Sequence, residues 1–247
     1  MFGNFIVGAL GLIFGSFLNV AIYRIPRGES VVWPGSHCPV CGNNLKALDL
    51  IPVLSYLWLH GRCRYCQAKI SHCYPLIELL TAVSFLMVYV KAGTLMATLA
   101  GWIFTSILII VSFTDLNDGI IPDLITYPGI IIGLCLSPFT LGIKSAALGS
   151  VIFAGIFLGT AIISRGGMGG GDIKLAGVIG AFIGLTGSIT TLIISSLAGG
   201  IWAASLLCQR KADRKTAVRF GPFMAVSAWL VWLYGEQILD FYMGLFI

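Results

Sequence analysis

Long uncharged stretches, separated by short segments that carry charge, dominate the pattern of hydrophobic and polar positions along this 247-residue chain. Each of the first five stretches has about the 20 residues that a helix needs to cross a bilayer. These stretches are residues 1–23, 74–90, 92–114, 124–143 and 145–164, and the second of them carries one charged residue, Glu78. The pattern predicts an all-α, polytopic membrane protein.

A sixth stretch, residues 175–209, is too long for a single crossing. Its 35 residues would form a helix of roughly 52 Å, whereas the hydrocarbon core of a bilayer is about 30 Å thick. We therefore expect it to divide near residues 184–188. A last span is expected from residue 220 or 221 to residues 236–240. This gives about eight transmembrane helices.

One hydrophilic segment separates the first predicted span from the others. We expect a first transmembrane helix at residues 1–23, a four-cysteine loop at 24–73 and a multi-helix transmembrane domain at 74–247. No basic residue precedes the first span and no small-x-small site follows it, so we expect this span to be retained rather than cleaved as a signal peptide.

Composition and charge set the class of protein and its orientation. Hydrophobic residues make up 57% of the chain, which is too apolar for a soluble domain. With the N-terminus outside, thirteen Lys and Arg fall in cytoplasmic segments and two in outer loops, as the positive-inside rule requires. The outer two are Lys91 and Lys144, and the inner thirteen are Arg24, Arg27, Lys46, Arg62, Arg64, Lys69, Arg165, Lys174, Arg210, Lys211, Arg214, Lys215 and Arg219. The net charge of +5 is thus a topology signal that also favours anionic lipid headgroups, and its pattern does not indicate nucleic acid.

Two C-x2-C pairs lie in the hydrophilic segment: Cys38 with Cys41, and Cys63 with Cys66, separated by 21 residues. This spacing is typical of a pair of zinc knuckles, in which four thiolates hold one tetrahedral ion at about 2.3 Å. A complete shell of thiolates makes the metal structural. The alternatives are two disulfides or thiols without a role, but disulfides rarely persist in the reducing cytoplasm where the topology puts this loop.

Two aspartates, Asp115 and Asp172, lie at the edges of uncharged stretches. In the predicted orientation the helix before Asp115 runs inward and the helix after Asp172 runs outward, so both belong at the cytoplasmic boundary. Two carboxyl groups that share a proton hydrolyse a peptide bond without a metal, one activating water while the other protonates the carbonyl oxygen. Gly169 and Gly171 would let an extended peptide approach the backbone, and Lys174 would either steady the ionised carboxylate or mark the inner boundary.

Other interpretations of these acids stay open. Boundary aspartates often cap helices, and Asp118 and Asp123 have the pattern of turn and helix-start residues. A proton-coupled transporter also places carboxylates in apolar spans, although nearer the midplane. Glu78, about one turn into the second span, is either a snorkelling boundary residue or a buried functional acid.

The motifs together, in their order along nearly the whole chain, resemble the type IV prepilin peptidase family. The segments that carry the resemblance are Gly15-Ser16-Phe17-Leu18-Asn19-Val20, Tyr23-Arg24-Ile25-Pro26, the two cysteine pairs, Tyr74-Pro75 with Glu78, Asp115-Leu116 with Ile121-Pro122-Asp123, Gly169-x-Gly171-Asp172-Ile173-Lys174-Leu175, and Phe220-Gly221-Pro222. Each motif alone is weak, but their joint order is specific.

The resemblance implies a membrane aspartic endopeptidase of the GxGD type, with Asp115 and Asp172 as the catalytic pair, in the bacterial inner membrane. It implies cleavage of the short basic leader of a type IV prepilin or pseudopilin at the cytoplasmic face, then methylation of the new N-terminus with S-adenosylmethionine. Asn19 and Glu78 are our candidates for binding that cofactor, and Asp118 and Asp123 for attracting the basic leader. A noncatalytic scaffold for pilus or secretion assembly remains a further alternative.

One residue departs from the family pattern. The family usually has arginine directly before the Tyr-Pro pair, whereas this chain has Cys73 there. The departure puts in doubt any contact that this arginine makes in the family, such as one with substrate or lipid headgroups. It does not change the prediction for the aspartate pair.

Overall fold

The computed structural model describes residues 2–164, 168–209 and 219–244, apart from the side chain of Leu207. The helices are α1 (Phe2–Arg24), α2 (Leu54–Trp58), α3 (Cys73–Lys91), α4 (Leu95–Asp118), α5 (Asp123–Leu136), α6 (Ile143–Ile163), α7 (Gly170–Cys208) and α8 (Gly221–Gly244). Over those residues there is no β-strand, only two isolated antiparallel bridges. The predicted all-α fold is confirmed.

Five of the described helices are long and apolar enough to cross a membrane: α1, α3, α4, α6 and α7. They confirm a multi-pass membrane protein. The predicted total of eight crossings stays a prediction.

The predicted span at residues 124–143 is wrong in its length. Helix α5 has 14 residues and is followed by a single 3-10 turn, Ser137–Phe139. At 1.5 Å per residue, α5 is roughly 21 Å long, which is shorter than the hydrocarbon core. Pro138 lies in the first turn of that 3-10 helix, and Gly142 precedes α6 with a positive φ of 86°. These two residues end the apolar run that the sequence presents as continuous.

The predicted division of the longest apolar stretch is confirmed. Helix α7 is broken at Gly184, whose φ of 69° and ψ of −173° are not helical. The helix begins at Gly170, so the Gly-Asp motif forms its first turn rather than a loop before it. Helix α8 has a similar break at Tyr234.

The chain forms two compact units that divide at Gly93. In the first unit, α1 packs closely along α3. A Cβ atom placed on Gly11 would lie 2.5 Å from Ala82 Cα, and one on Gly15 would lie 2.6 Å from Glu78 Cα. Only glycine allows these two backbones to approach so closely, as small residues do at helix contacts in membranes.

The second unit, from Thr94 onward, has a buried core formed mainly by α4, α7 and α8. Phe104 of α4 stacks on Phe182 of α7 with ring centroids 4.9 Å apart. Trp229 Nε1 of α8 donates to Thr105 Oγ1 of α4 at 3.2 Å. This packing holds together α4 and α7, the two helices that carry the predicted catalytic aspartates.

Some of the charges used to predict orientation lie outside the described residues. They are Arg165, Arg210, Lys211, Arg214 and Lys215. Lys144, predicted in an outer loop, lies in the first turn of α6. The predicted orientation therefore stays a prediction.

Candidate active site and metal site

Asp115 lies in the last turn of α4 and is buried, with 8% of its surface exposed. The helix ends three residues later because Gly119 adopts a left-handed φ of 69° and its N–H donates to the carbonyl oxygen of Asp115 at 3.0 Å. A carboxylate at a helix C-terminus faces the negative end of the helix dipole. It therefore needs positive groups from elsewhere in the fold.

The segment that leads into α8 supplies those groups. Arg219 donates from Nη1 to the carbonyl oxygen of Leu116, and its guanidinium interacts electrostatically with Asp115. The backbone amide of Gly221 also acts as a hydrogen-bond donor to the Asp115 carboxylate. A Cβ atom on Gly221 would lie 2.7 Å from Asp115 Oδ2, so the carboxylate occupies the space that a side chain would take.

Asp172 lies in the first turn of α7, where the positive end of the helix dipole favours an anion. Its own N–H donates to the Gly169 carbonyl oxygen at 3.1 Å, and the Gly169 amide donates to its carboxylate. The side chain is partly buried. Gly169 thus closes the turn that holds Asp172.

The structure brings these two aspartates together. Their carboxyl groups are close enough to interact electrostatically as like charges. Both neighbouring backbones contact Ile121: a Cβ atom on Gly171 would lie 2.7 Å from Ile121 Cβ, and one on Gly221 would lie 3.3 Å from Ile121 Cδ1. The space beside Gly171 is therefore filled by Ile121.

Lys174 makes its ion pair with Asp123 at the start of α5, with Nζ 2.5 Å from Asp123 Oδ1. Its Nζ also lies 5.3 Å from the centre of the Tyr127 ring. Asp118, the last residue of α4, is exposed. Lys174 thus links α7 to α5. The two paired residues are 51 positions apart in the sequence, and the sequence did not predict that they pair.

The four predicted metal ligands form one cluster in the first unit. The sulfur atoms of Cys38, Cys41, Cys63 and Cys66 all lie within 4.8 Å of one another, and all four cysteines are free thiols. The Cys38 and Cys66 sulfurs are 3.8 Å apart. Four sulfurs at about 2.3 Å from a tetrahedral ion would be roughly 3.8 Å apart, so the cluster has the size that zinc requires.

The two cysteine pairs have the same local backbone. The N–H of Cys38 donates to the Asn43 carbonyl and that of Gly42 to the Cys38 carbonyl, at 3.0 and 2.9 Å. In the second pair, Cys63 donates to Ala68 at 2.9 Å and Gln67 donates to Cys63 at 3.0 Å. Each turn therefore presents its two sulfurs in the same way, as expected of paired zinc knuckles.

Electrostatics in the cluster favour a bound cation. The backbone amide of Ala68 lowers the pKa of the Cys66 thiol, but partial desolvation and the neighbouring thiols of Cys41, Cys63 and Cys38 raise it to about 12 in total. Four thiolates so close together repel one another unless a cation neutralises them. The residues present therefore fit a metal ion.

Asp49 connects the segment between the cysteine pairs to the second pair. Its carboxylate accepts from Arg64 Nε at 2.6 Å, from the Lys46 N–H at 3.1 Å and from the Tyr65 hydroxyl at 3.3 Å. Burial raises the pKa of Asp49, but the hydrogen bonds and the Arg64 charge outweigh it and hold that pKa below its ordinary value.

Asn19 and Glu78 are both buried in the first unit, with 6% and 7% of their surfaces exposed. Asn19 Nδ2 donates to the carbonyl oxygen of Tyr74 at 3.1 Å, which joins α1 to the start of α3. Glu78 Oε2 accepts from the Val53 N–H at 2.7 Å. Val53 has a φ of 61°, a strained conformation for a β-branched residue, and this hydrogen bond helps to hold it.

A cavity of about 390 Å³ opens beside these two residues. Its wall combines apolar side chains with tyrosine rings and a few polar groups, as is typical of small-molecule sites. The wall includes Asn19, Tyr23, Tyr56, Tyr74 and Glu78.

Sequence reasoning missed several residues that shape these sites. Arg24 is buried and donates to the carbonyl oxygens of Ser30, Pro34 and Gly35, which folds the start of the cysteine loop. Ile121 and Gly221 both belong to motifs quoted for the family resemblance. The motifs therefore marked these residues, but a sequence motif does not show which atoms its side chains contact in the fold.

Comparisons with known proteins match two family models to successive parts of the chain. The sequence model of the bacterial peptidase A24 N-terminal domain matches residues 9–92, and that of the type IV leader peptidase family matches residues 102–204. These matches fall within the first and second compact units, respectively.

Full-length relatives extend the similarity to nearly the whole chain. A prepilin leader peptidase/N-methyltransferase of Bacillus subtilis (strain 168) is 36% identical over 238 residues, which cover 94% of each protein. The protein of that name from Neisseria gonorrhoeae is 36% identical over 264 residues, with 94% of this chain and 91% of the relative covered. That of Aeromonas salmonicida (strain A449) is 33% identical over 271 residues, with 97% and 93% covered. The comparison with solved structures gave no match. On this similarity, the chain belongs to the type IV leader peptidase family.

Proposed function

We propose that the protein is a membrane aspartic endopeptidase that removes the short basic leader of type IV prepilins or pseudopilins and then methylates the new N-terminal residue. The relatives are named for both activities. The observation that carries the proposal is the electrostatic interaction between the buried Asp115 and the partly buried Asp172 in the second unit. Two acids at the ends of neighbouring helices are costly to bury together, and this chemistry gives them a joint purpose.

In the proposed reaction, the ionised carboxylate removes a proton from water as the water oxygen attacks the scissile carbonyl carbon. The protonated carboxyl group donates its proton to the carbonyl oxygen, which gives a tetrahedral diol. When the C–N bond breaks, the carboxyl group that took the proton from water gives it to the leaving nitrogen, and the other carboxylate takes a proton from a diol hydroxyl, so the pair returns to its starting state. We assign the base to Asp115, because the full positive charge of the Arg219 guanidinium lies beside it, whereas Asp172 has the weaker partial charge of a helix N-terminus.

We place the reaction at the cytoplasmic face of the inner membrane, with the N-terminus outside. The support is the bias of Lys and Arg in the sequence. In this arrangement the substrate's own helix lies in the bilayer while its leader stays in the cytoplasm.

We further propose that Asp118 and Asp123 attract the basic leader. Asp123 is 56% exposed, and its charge is partly balanced by Lys174. Asp118→Asn/Asp123→Asn should therefore weaken the preference for leaders with more lysines, measured as relative kcat/KM. An unchanged preference contradicts this role.

The four-cysteine cluster is proposed to hold one zinc ion through Cys38, Cys41, Cys63 and Cys66. Because four thiolates fill the coordination shell, the metal would supply folding energy to the loop and no open position for chemistry.

S-adenosylmethionine is the proposed methyl donor, and the cavity of about 390 Å³ in the first unit is its proposed site. When bound, it would supply an electrophilic methyl group. The Glu78 carboxylate offers a counter-charge to a sulfonium, and the rings of Tyr23, Tyr56 and Tyr74 attract cations and stack on a purine. Asn19 supplies a fixed amide to the same wall.

The cofactor site is tested with Glu78→Gln, since a glutamine oxygen can still accept from Val53 while the charge is lost. We expect weaker binding of radiolabelled S-adenosylmethionine in equilibrium dialysis, with leader cleavage retained. Unchanged binding would remove Glu78 from the site.

A reconstituted assay separates the proposed function from its two rivals. Purified protein in lipid vesicles is incubated with a prepilin-like peptide that carries a basic leader. We expect release of the leader. Proton-dependent flux without cleavage would indicate a transporter, and binding to the peptide without cleavage would indicate an assembly scaffold.

A further inference from the structure

Ile121 has an unusual position in the short loop at residues 119–122, between α4 and α5. Its neighbour Ile120 has the same side chain and is 49% exposed, whereas Ile121 is 9% exposed and belongs to the core of the second unit. The loop therefore turns one isoleucine outward and the other inward.

The inward side chain packs on both backbones that carry the proposed catalytic pair. One contact is Gly171, the residue directly before Asp172, and the other is Gly221, whose amide faces Asp115. At each glycine, a single methyl group would come within 3.3 Å of an Ile121 carbon atom, and at Gly171 within 2.7 Å. The Ile121 side chain therefore fills the space beside both backbones and lies between the two segments that carry the aspartates.

The loop that carries Ile121 is held at both ends. On one side, the Gly119 N–H is bonded to the Asp115 carbonyl oxygen. On the other, Asp123 begins α5 and pairs with Lys174 of α7. The isoleucine is thus fixed relative to α4 and to α7, and packing density in such a core makes its volume matter.

We propose that Ile121 is a positioning residue for peptide hydrolysis, whose side chain sets the separation of Asp115 and Asp172. The inference rests on the function proposed above. Two carboxyl groups that act on one water must be held within a narrow range of distances, and a misplacement of about 1 Å can reduce a rate by roughly 100-fold. Substrate binding along the helices does not depend on this spacing.

The test compares kcat and KM for leader cleavage in Ile121→Ala and in Ile120→Ala, its matched control. We expect Ile121→Ala to lower kcat by at least about ten-fold with KM within about two-fold of wild type. Ile120→Ala should leave both constants unchanged. Ile121→Leu, which keeps the volume, should recover most of the rate.

A normal kcat in folded Ile121→Ala overturns the proposal, and so does a raised KM at unchanged kcat, which would indicate substrate contact instead. If Ile121→Ala does not fold, two milder variants replace it in the test. Ile121→Val removes one carbon atom, and Gly171→Ala adds a methyl group that crowds Ile121. Lower kcat in those folded variants supports the proposal, and normal kcat in both overturns it. Cleavage by Asp115→Asn is measured in parallel. If Asp115→Asn is active, the proposed function itself is wrong; if it is inactive while the Ile121 variants are normal, only the role of Ile121 is wrong.

Discussion

Gly221 leaves the space that the Asp115 carboxylate occupies. Because a Cβ atom at this position would lie 2.7 Å from Asp115 Oδ2, Gly221→Ala must displace the carboxylate or the start of α8. We expect cleavage to fall by roughly 100-fold, the effect of a displacement of about 1 Å at a catalytic group. The measurement is kcat for leader release.

Gly244→Ala is the matched control, because no atom of the described residues lies within 4 Å of a Cβ atom there. It should retain wild-type cleavage. A Gly221→Ala variant with normal cleavage would show that Asp115 does not need its present position.

Asp49 gives a prediction about pH. Its pKa in the folded loop lies below the ordinary value of about 3.9, so its ionised form stabilises the fold. That contribution is complete above about pH 4 and is lost as the pH falls through the folded-state pKa. Since the Arg64 side chain is 44% exposed, we expect only about 1 kcal/mol, or roughly five-fold in local opening.

Asp49→Asn should therefore accelerate limited proteolysis of the segment at residues 24–73 by about five-fold at pH 7. The difference from wild type should close as the pH falls below about 4. Glu29→Gln, an exposed acid in the same loop, serves as the control. A difference that is the same at both pH values would contradict the role of the Asp49 charge.

At the residue scale, the sequence predicted which side chains bear chemistry but only some of their partners. Asp115 and Asp172 followed from their positions at the edges of uncharged stretches. The pairing of Lys174 with Asp123 did not, because it depends on how α5 packs against α7. Likewise, the glycine at 171 was expected to admit substrate, and the structure shows Ile121 against it.

Among the elements, the two cysteine turns make the clearest prediction. Their equivalent hydrogen bonds and shared sulfur cluster should give about one zinc per chain in metal analysis of purified protein. Cys38→Ser should reduce the zinc content strongly, because it removes one of four ligands. Cys135→Ser, which changes an exposed cysteine of α5, should leave the zinc content unchanged.

Removal of zinc should also loosen the loop, since the metal supplies much of its folding energy. Protein that is free of metal, protected from proteolysis and fully active would reject a structural zinc. Two disulfides in the isolated protein would reject it as well.

The helices show where sequence patterns succeed and where they fail. The break at Gly184 was predicted from length, because a helix of 35 residues exceeds the bilayer. The short length of α5 was not predicted. Hydropathy stays high through the 3-10 turn around Pro138, so it does not show that α5 ends before α6 begins. Apolar content predicts a membrane environment more reliably than it predicts where one helix stops.

For the whole molecule, each of the two family matches falls within one of the two compact units. The first contains the cysteine cluster and the cavity, and the second contains the aspartate pair. We infer that methylation and proteolysis depend on different units. Loss of the aspartates should therefore leave methylation of a peptide that already lacks its leader intact.

The central claim is that Asp115 and Asp172 together hydrolyse the peptide bond. The most direct measurement is leader cleavage by purified Asp115→Asn and Asp172→Asn, each compared with wild type at equal amounts of folded, zinc-loaded protein in lipid. We predict that each substitution lowers cleavage by at least about 100-fold, because an amide neither activates water nor exchanges the shared proton. Near-normal cleavage by either variant would contradict the account.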